Sequence, residues 1–305
     1  MSYEDTREFL INHQEKILDD FLDGQWCKMT TGFSQSAYTD SLRQADYLLR
    51  YYGMYFTSYY ATYRRFLRKY EAIFSQKRLH ILSIGTGSGI DFFALNRAIE
   101  DLLLENKIKR RQQYHYTGID PVAWNYQPIS TKFHFKQIDI KKLTPQDIEN
   151  VDLFIFPRSL SDIERTDPLS LTRLARLVSN HTNRDRLFFI NSYVVQNSLD
   201  KGKKVFGVNA FCSLIKSFTQ HGWRNVNCKP QDHCGIIPKY STLSDLPFYG
   251  IPDRLTDILG INLKDECKHK KQGAFSCNFC KEQLYIMRKL NNIAFHIHEL
   301  QRDEE

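Results

Sequence analysis

Leu79-His80-Ile81-Leu82-Ser83-Ile84-Gly85-Thr86-Gly87-Ser88-Gly89 is the stretch on which the fold of this chain turns. Its first half is a short, mostly apolar run ending in glycines, the pattern of a buried strand rather than of a helix. Its second half places glycine at alternate positions. Without Cβ atoms, the backbone there can turn sharply and come close to a neighbour or a ligand. The chain then enters a helical pattern, so the turn leads into a helix N-terminus, where unpaired N–H groups favour electron-rich or anionic partners. A tight strand-to-helix turn with no ligand would use the same glycines, so the segments that follow must decide. A dinucleotide fingerprint would need its third glycine one place further on, where Ile90 stands.

Downstream, helical and strand patterns alternate. A helix is expected over 90–108, a strand over 114–119 ending at Asp120, and a strand over 133–138 ending at Asp139. A helix near 144–149 leads to the strand Val151-Asp152-Leu153-Phe154-Ile155-Phe156. A helix near 168–180, a strand at 187–190, a helix over 207–220 and a strand near 224–228 follow. Such alternation predicts a parallel sheet with helices on both faces. Residues 283–289 read as one more strand before a short tail.

Upstream, residues 1–78 read as a helical extension. Phe9, Leu10, His13, Ile17, Leu18, Phe21 and Leu22 recur at three- and four-residue spacing, and after a polar break at 30–36 a second helical run spans 38–74. The expected organisation is therefore an extension over 1–78 and an α/β domain over 79–305. That domain is interrupted at 229–281 by a segment rich in Pro, Gly, Lys and Cys.

The 305 residues are 42% hydrophobic and 25% charged, ordinary for a globular chain able to bury a sizeable core. The formal net charge of +7 permits a polyanionic partner without requiring one, and the basic excess lies mostly in the C-terminal third. Glu4, Asp5 and Glu8 stand where a secretory signal would be basic, and no long apolar run reads as a membrane span. Seven cysteines, an odd number, suit a reducing cytoplasmic setting better than a disulfide framework.

The Gly85-x-Gly87-x-Gly89 loop, entered from an apolar strand, resembles motif I of the class I S-adenosylmethionine (SAM) dependent methyltransferases. Three later features fall in that family's order. Gly118-Ile119-Asp120-Pro121 ends the second strand, Gln137-Ile138-Asp139-Ile140 ends the third, and Phe156-Pro157-Arg158-Ser159 ends the fourth. The resemblance implies a Rossmann-like, seven-stranded, mostly parallel sheet whose last strand runs antiparallel, with the Cys/His-rich insertion before it. It implies that Gly85, Thr86, Gly87, Ser88 and Gly89 hold the amino-acid end of SAM. It also implies that Asp120 and Pro121 meet the ribose, that Asp139 and Ile140 meet the adenine, and that Pro157 lies where substrate and cofactor meet. A carboxylate suits the ribose because it can accept from both hydroxyls. Where the family usually carries Asp or Glu two residues before the first glycine, this chain has Ser83.

The Asn/Asp-Pro-Pro-Tyr/Phe signature of amino-methyltransferases is absent from the fourth strand end. Arg158 is a candidate to orient a carboxylate or phosphate, and Asp162 a candidate general base. The bland alternatives are that Ser159 or Ser161 caps the next segment and that Asp162 is simply solvated.

Two further features stand outside the resemblance. Cys267, His269, Cys277 and Cys280 form a C-x-H-x7-C-x2-C array that can enclose one structural Zn²⁺, the alternative being a loop with scattered thiols. With Lys264, Lys268, Lys270, Lys271 and Lys281 nearby, this insertion is a candidate recognition element for RNA or another anionic substrate. Second, Tyr47, Tyr51, Tyr52, Tyr55, Tyr59, Tyr60 and Tyr63 crowd one helical stretch, as a lid offering rings for stacking or, favoured, as packing. Three functional readings remain open: a SAM-dependent methyltransferase acting on RNA, protein or a small molecule; a non-catalytic SAM-binding module; and a zinc-bearing nucleic-acid binding protein. The oligomeric state is not legible.

Overall fold

The computed structural model describes residues 12–19, 38–74, 78–198, 202–226, 239–242 and 292–303. The chain forms two compact units. One comprises Met1–Thr57, Val122–Gln127 and Leu246–Leu290, the other Ser58–Pro121, Pro128–Asp245 and Asn291–Glu305.

The smaller unit contains α1 (12–19) and the first part of α2 (Ser41–Lys69). Its described residues include a half-buried cluster of aromatic rings. Tyr51 and Tyr55 stack at 5.4 Å, one helical turn apart, and Tyr38 and Tyr47 both pack on Trp124. Rings four residues apart lie above one another on a helix, so the tyrosine spacing gives a continuous ladder. Buried Gln44 ties the segment 122–127 to α2, accepting from Asn125 N–H at 2.7 Å and donating to the Ala123 carbonyl at 2.8 Å.

The larger unit is the α/β domain, and its sheet is Rossmann-like. The elements are β1 (Leu79–Ile84), α4 (Ile90–Leu104), β2 (Tyr114–Asp120), β3 (Phe133–Gln137), α5 (Pro145–Ile148), β4 (Leu153–Pro157), α6 (Leu160–Thr166), α7 (Leu169–His181), β5 (Arg186–Ser192), β6 (Val194–Ser198), β7 (Gly202–Phe206), α8 (Val208–Thr219), β8 (Trp223–Asn225), β9 (Lys239–Thr242) and β10 (Asn292–Arg302), with α3 (Glu71–Phe74) ahead of β1. Seven strands run in the order β3-β2-β1-β4-β5-β10-β8, and β9 adds an eighth by pairing with β10. β1 to β5 are mutually parallel, and β10 is antiparallel to β5, β8 and β9.

Alternation along each strand sends side chains to two cores. Leu82, Ile84, Phe154, Phe156, Leu187 and Phe189 join a cluster built with α5, α7 and α8. On the other face the end of α2, together with α3, brings Phe66, Tyr70 and Phe74 against Phe188. Tyr59, Tyr60 and Tyr63 are buried within this unit, and the Tyr60 hydroxyl donates to Asp101 at 2.6 Å. Tyr52, Tyr55, Tyr59, Tyr60 and Tyr63 thus serve packing, while Tyr38, Tyr47 and Tyr51 are half-buried.

Several elements depart from the sequence expectation. The antiparallel strand lies at 292–302, where only a tail was expected, and the run 283–289 lies outside the described residues. β10 escapes a hydropathy reading because His296, His298 and Glu299 occupy buried positions in it. Tyr193 pairs with His296, Phe211 stacks on the same imidazole at 5.1 Å, and Arg186 forms an ion pair with Glu299. The β6–β7 hairpin and the short helix α6 were also not anticipated; their residues are largely polar, with too few apolar positions to show a period.

Candidate functional site

In this strand order the chain runs from β1 outward to β3 and then returns to β4 on the other side of β1. The reversal makes the β1/β4 carboxyl ends the switch point, the usual ligand crevice of an open α/β sheet. The glycine loop sits there. Gly85, Gly87 and Gly89 all adopt left-handed conformations, with φ of 75°, 56° and 75°. An L side chain adopts that region only at a cost, which accounts for glycine at every second position.

The loop is tied down on two sides. Gly85 and Thr86 N–H groups donate to the Ile119 carbonyl at 2.8 and 3.1 Å, and Gly87 N–H donates to an Asp120 carboxylate oxygen at 3.1 Å. Toward β4, a Cβ built on Gly85 would lie 2.4 Å from Ser159 Cβ. The Ser159 hydroxyl donates to the Ile84 carbonyl instead of capping α6. The ends of β1, β2 and β4 thus converge on the loop.

The sequence-derived residues occupy this edge unevenly. Asp120 is buried against the loop, whereas Pro121 is exposed and its carbonyl accepts from Gln137. Asp139 accepts from Lys141 N–H at 2.9 Å and caps a 3-10 turn, Ile140–Lys142; Ile140 packs partly buried against the core. Pro157 is buried at the end of β4. Arg158 is also buried and has φ 63°, a left-handed backbone that costs a non-glycine residue about 1–2 kcal/mol. Its guanidinium reaches the Ser58 hydroxyl at 3.4 Å, and Ser58 in turn contacts the Ser192 hydroxyl at 3.2 Å. Asp162 is exposed and ion-paired with Arg165 at 2.7 Å. The structure therefore gathers the loop, Asp120, Pro157 and Arg158, and leaves Asp162 in solvent. Cys267, His269, Cys277 and Cys280 lie outside the described residues. Among the described residues no group of three or more His, Cys, Asp or Glu is placed to hold a metal ion, and no helix is long and apolar enough to cross a membrane.

One group at the loop was not singled out from the sequence. Asp91, the second residue of α4, is completely buried. Its carboxylate accepts from Ser83 at 2.8 Å, from Thr86 at 3.2 Å, and from the Tyr116 hydroxyl. Burial pushes the Asp91 carboxyl above its ordinary range, the three hydroxyl donors opposing, and burial likewise pushes Tyr116 well up. The signal in the sequence was a lone acid inside the apolar run Ile90-Asp91-Phe92-Phe93-Ala94-Leu95.

The donor set suits the cofactor implied by the resemblance. It offers a close-approach glycine loop at a helix N-terminus, and a carboxylate held at the next strand end. No family model matches the chain, and no curated protein matches it. Three distant structural likenesses are as follows. The Burkholderia thailandensis 1,6-didemethyltoxoflavin-N1-methyltransferase with bound S-adenosylhomocysteine is 12% identical over 78% of each chain, TM-score 0.35. The [4+2]-cyclase SpnF is 12% identical over 96% of this chain and 93% of that one, TM-score 0.38. The plantazolicin methyltransferase BpumL with S-adenosylhomocysteine is 12% identical over 99% of each chain, TM-score 0.44.

Proposed function

We propose that this chain is a SAM-dependent methyltransferase. The observation that carries the reading is the bond from Gly87 N–H to the Asp120 carboxylate at the switch point. It joins the two parts that a nucleoside with a short zwitterionic tail needs: a loop that admits close approach, and an acid able to accept from ribose hydroxyls. When bound, SAM supplies an activated methyl group on a sulfonium, itself a good leaving group. Methyl transfer then asks chiefly for alignment, so the residues that matter most are those that hold and orient the two reactants. In this reading the loop from Gly85 to Gly89 holds the amino-acid end and Asp120 the ribose. Asp139 and Ile140, at the end of the adjacent strand, flank the adenine. Arg158 orients an anionic group of the acceptor, since a guanidinium pairs in a planar, two-pronged way with carboxylate or phosphate.

The acceptor expected first is RNA, then a protein or a small molecule. Support comes from the formal charge of +7, the lysines around the Cys/His array, and the buried Arg158 guanidinium that follows β4 and reaches Ser58. The Cys267, His269, Cys277 and Cys280 array is proposed to hold a structural Zn²⁺, to be checked by metal analysis of wild type against Cys277→Ala. Calorimetry with SAM and S-adenosylhomocysteine tests the cofactor assignment: a micromolar dissociation constant is expected, and no detectable heat from either ligand overturns it. Labelled SAM given to a cell extract, with RNA and protein separated afterwards, identifies the acceptor. Binding without transfer into any fraction would leave a SAM-binding module instead.

A further inference from the structure

Asp91 has no part in the ligand contacts just assigned, yet it is the best-connected buried charge beside the loop. Removing a carboxylate from water costs several kcal/mol unless hydrogen bonds replace the lost hydration. Here three hydroxyls from three elements do so: Ser83 at the end of β1, Thr86 in the loop, and Tyr116 in β2. Its place in the first turn of α4 adds the helix dipole to that compensation. An apolar side chain would fill the same space without the desolvation cost. What the carboxylate adds is geometry, because a fully satisfied buried network admits one arrangement of its members. The room for this arrangement is also specific. A Cβ on Gly118 would lie 2.6 Å from Thr86 Cγ2, so glycine in β2 is what lets Thr86 turn toward Asp91.

We propose that Asp91 is a positioning residue that sets the glycine loop for the amino-acid end of the ligand. Ser83 then functions as the donor that carries the restraint to β1, and Thr86 carries it into the loop itself. The inference rests on the SAM reading above.

The test titrates the full chain with two ligands. S-adenosylhomocysteine carries the amino-acid end, and 5′-methylthioadenosine lacks it. Asp91→Asn keeps the shape but faces the three hydroxyls with one acceptor instead of two. It is expected to weaken S-adenosylhomocysteine at least tenfold and to change 5′-methylthioadenosine less than twofold. Ser83→Ala, which removes one donor, is expected to weaken S-adenosylhomocysteine about threefold or more with the same selectivity. In the exchange variant Ser83→Asp with Asp91→Ser, affinity is expected to recover to within about fivefold of wild type. Parallel weakening of both ligands marks a merely structural role and overturns the proposal, as does unchanged S-adenosylhomocysteine binding. Should Asp91→Asn not fold, Ser83→Ala and the exchange variant decide on the same criteria. Wild type binding neither ligand would instead sink the SAM reading itself.

Discussion

Gly85→Ala puts the loop geometry under direct stress. Residue 85 has φ 75°, and its new Cβ would lie 2.4 Å from Ser159 Cβ, an atom fixed directly to the backbone. Two costs add: roughly 1–2 kcal/mol for an L residue in the left-handed region and about 1–3 kcal/mol for overpacking, hence about 2–5 kcal/mol in all. Gly222→Ala separates the two contributions. Gly222 has φ 79° and nothing within 4 Å of an added Cβ, so only the backbone cost of about 1–2 kcal/mol applies. The assay is urea unfolding followed by circular dichroism, comparing midpoints at constant slope. A third variant, Gly85→Ala with Ser159→Gly, removes the opposing Cβ and is expected to recover about 1–3 kcal/mol relative to additivity. The packing account is refuted if Gly85→Ala costs no more than Gly222→Ala, or if the double variant is simply additive.

Three more outcomes are expected. Gly118→Ala should weaken S-adenosylhomocysteine binding in calorimetry through its clash with Thr86 Cγ2, and Thr86→Ser, which deletes that atom, should restore part of the loss. Asp162→Asn, at an exposed pair with Arg165, should change the unfolding free energy by less than about 0.5 kcal/mol, and a larger loss in denaturant titration would contradict its solvated placement. His298 is buried, and that burial pushes its imidazole down to about 3. The unfolded chain takes up this proton near pH 6.5 and the folded chain does not, so stability is full above pH 6.5 and falls as pH drops from 6.5 toward 3. The slope from this group is up to about 1.4 kcal/mol per pH unit. His298→Gln should flatten that acid limb in urea titrations run between pH 7 and 4, and an unchanged slope would count against a buried neutral histidine.

Much of the α/β core was legible because its signals are local. Strand and helix periods show in short windows, so β1 to β5 and α4, α7 and α8 fall close to their expected spans. The site was legible in part. Gly85 to Gly89, Asp120, Pro157 and Arg158 meet at one edge because each ends or follows a strand of the same parallel sheet, and parallel order brings those ends together. Asp162 was not settled by its position, since one helical turn beyond β4 it could face the crevice or water. It faces water, with Arg165 beside it.

The glycine-lined turn and the alternation around it follow from neighbouring residues alone, because φ preferences and hydrophobic periods are local. What the turn is fastened to depends on residues brought in from β2, β4 and α4. Ser83 read alone is an acid missing from a strand end. In the fold it is the donor to Asp91, which Thr86 and Tyr116 complete from the loop and from β2. Likewise, the strand at 292–302 could not be read from hydropathy, since its buried His296, His298 and Glu299 are accommodated by Tyr193, Phe211 and Arg186 from elsewhere in the chain. A buried polar group is stable only where distant partners and packing offset its desolvation, and those partners are set by the fold rather than by sequence neighbours.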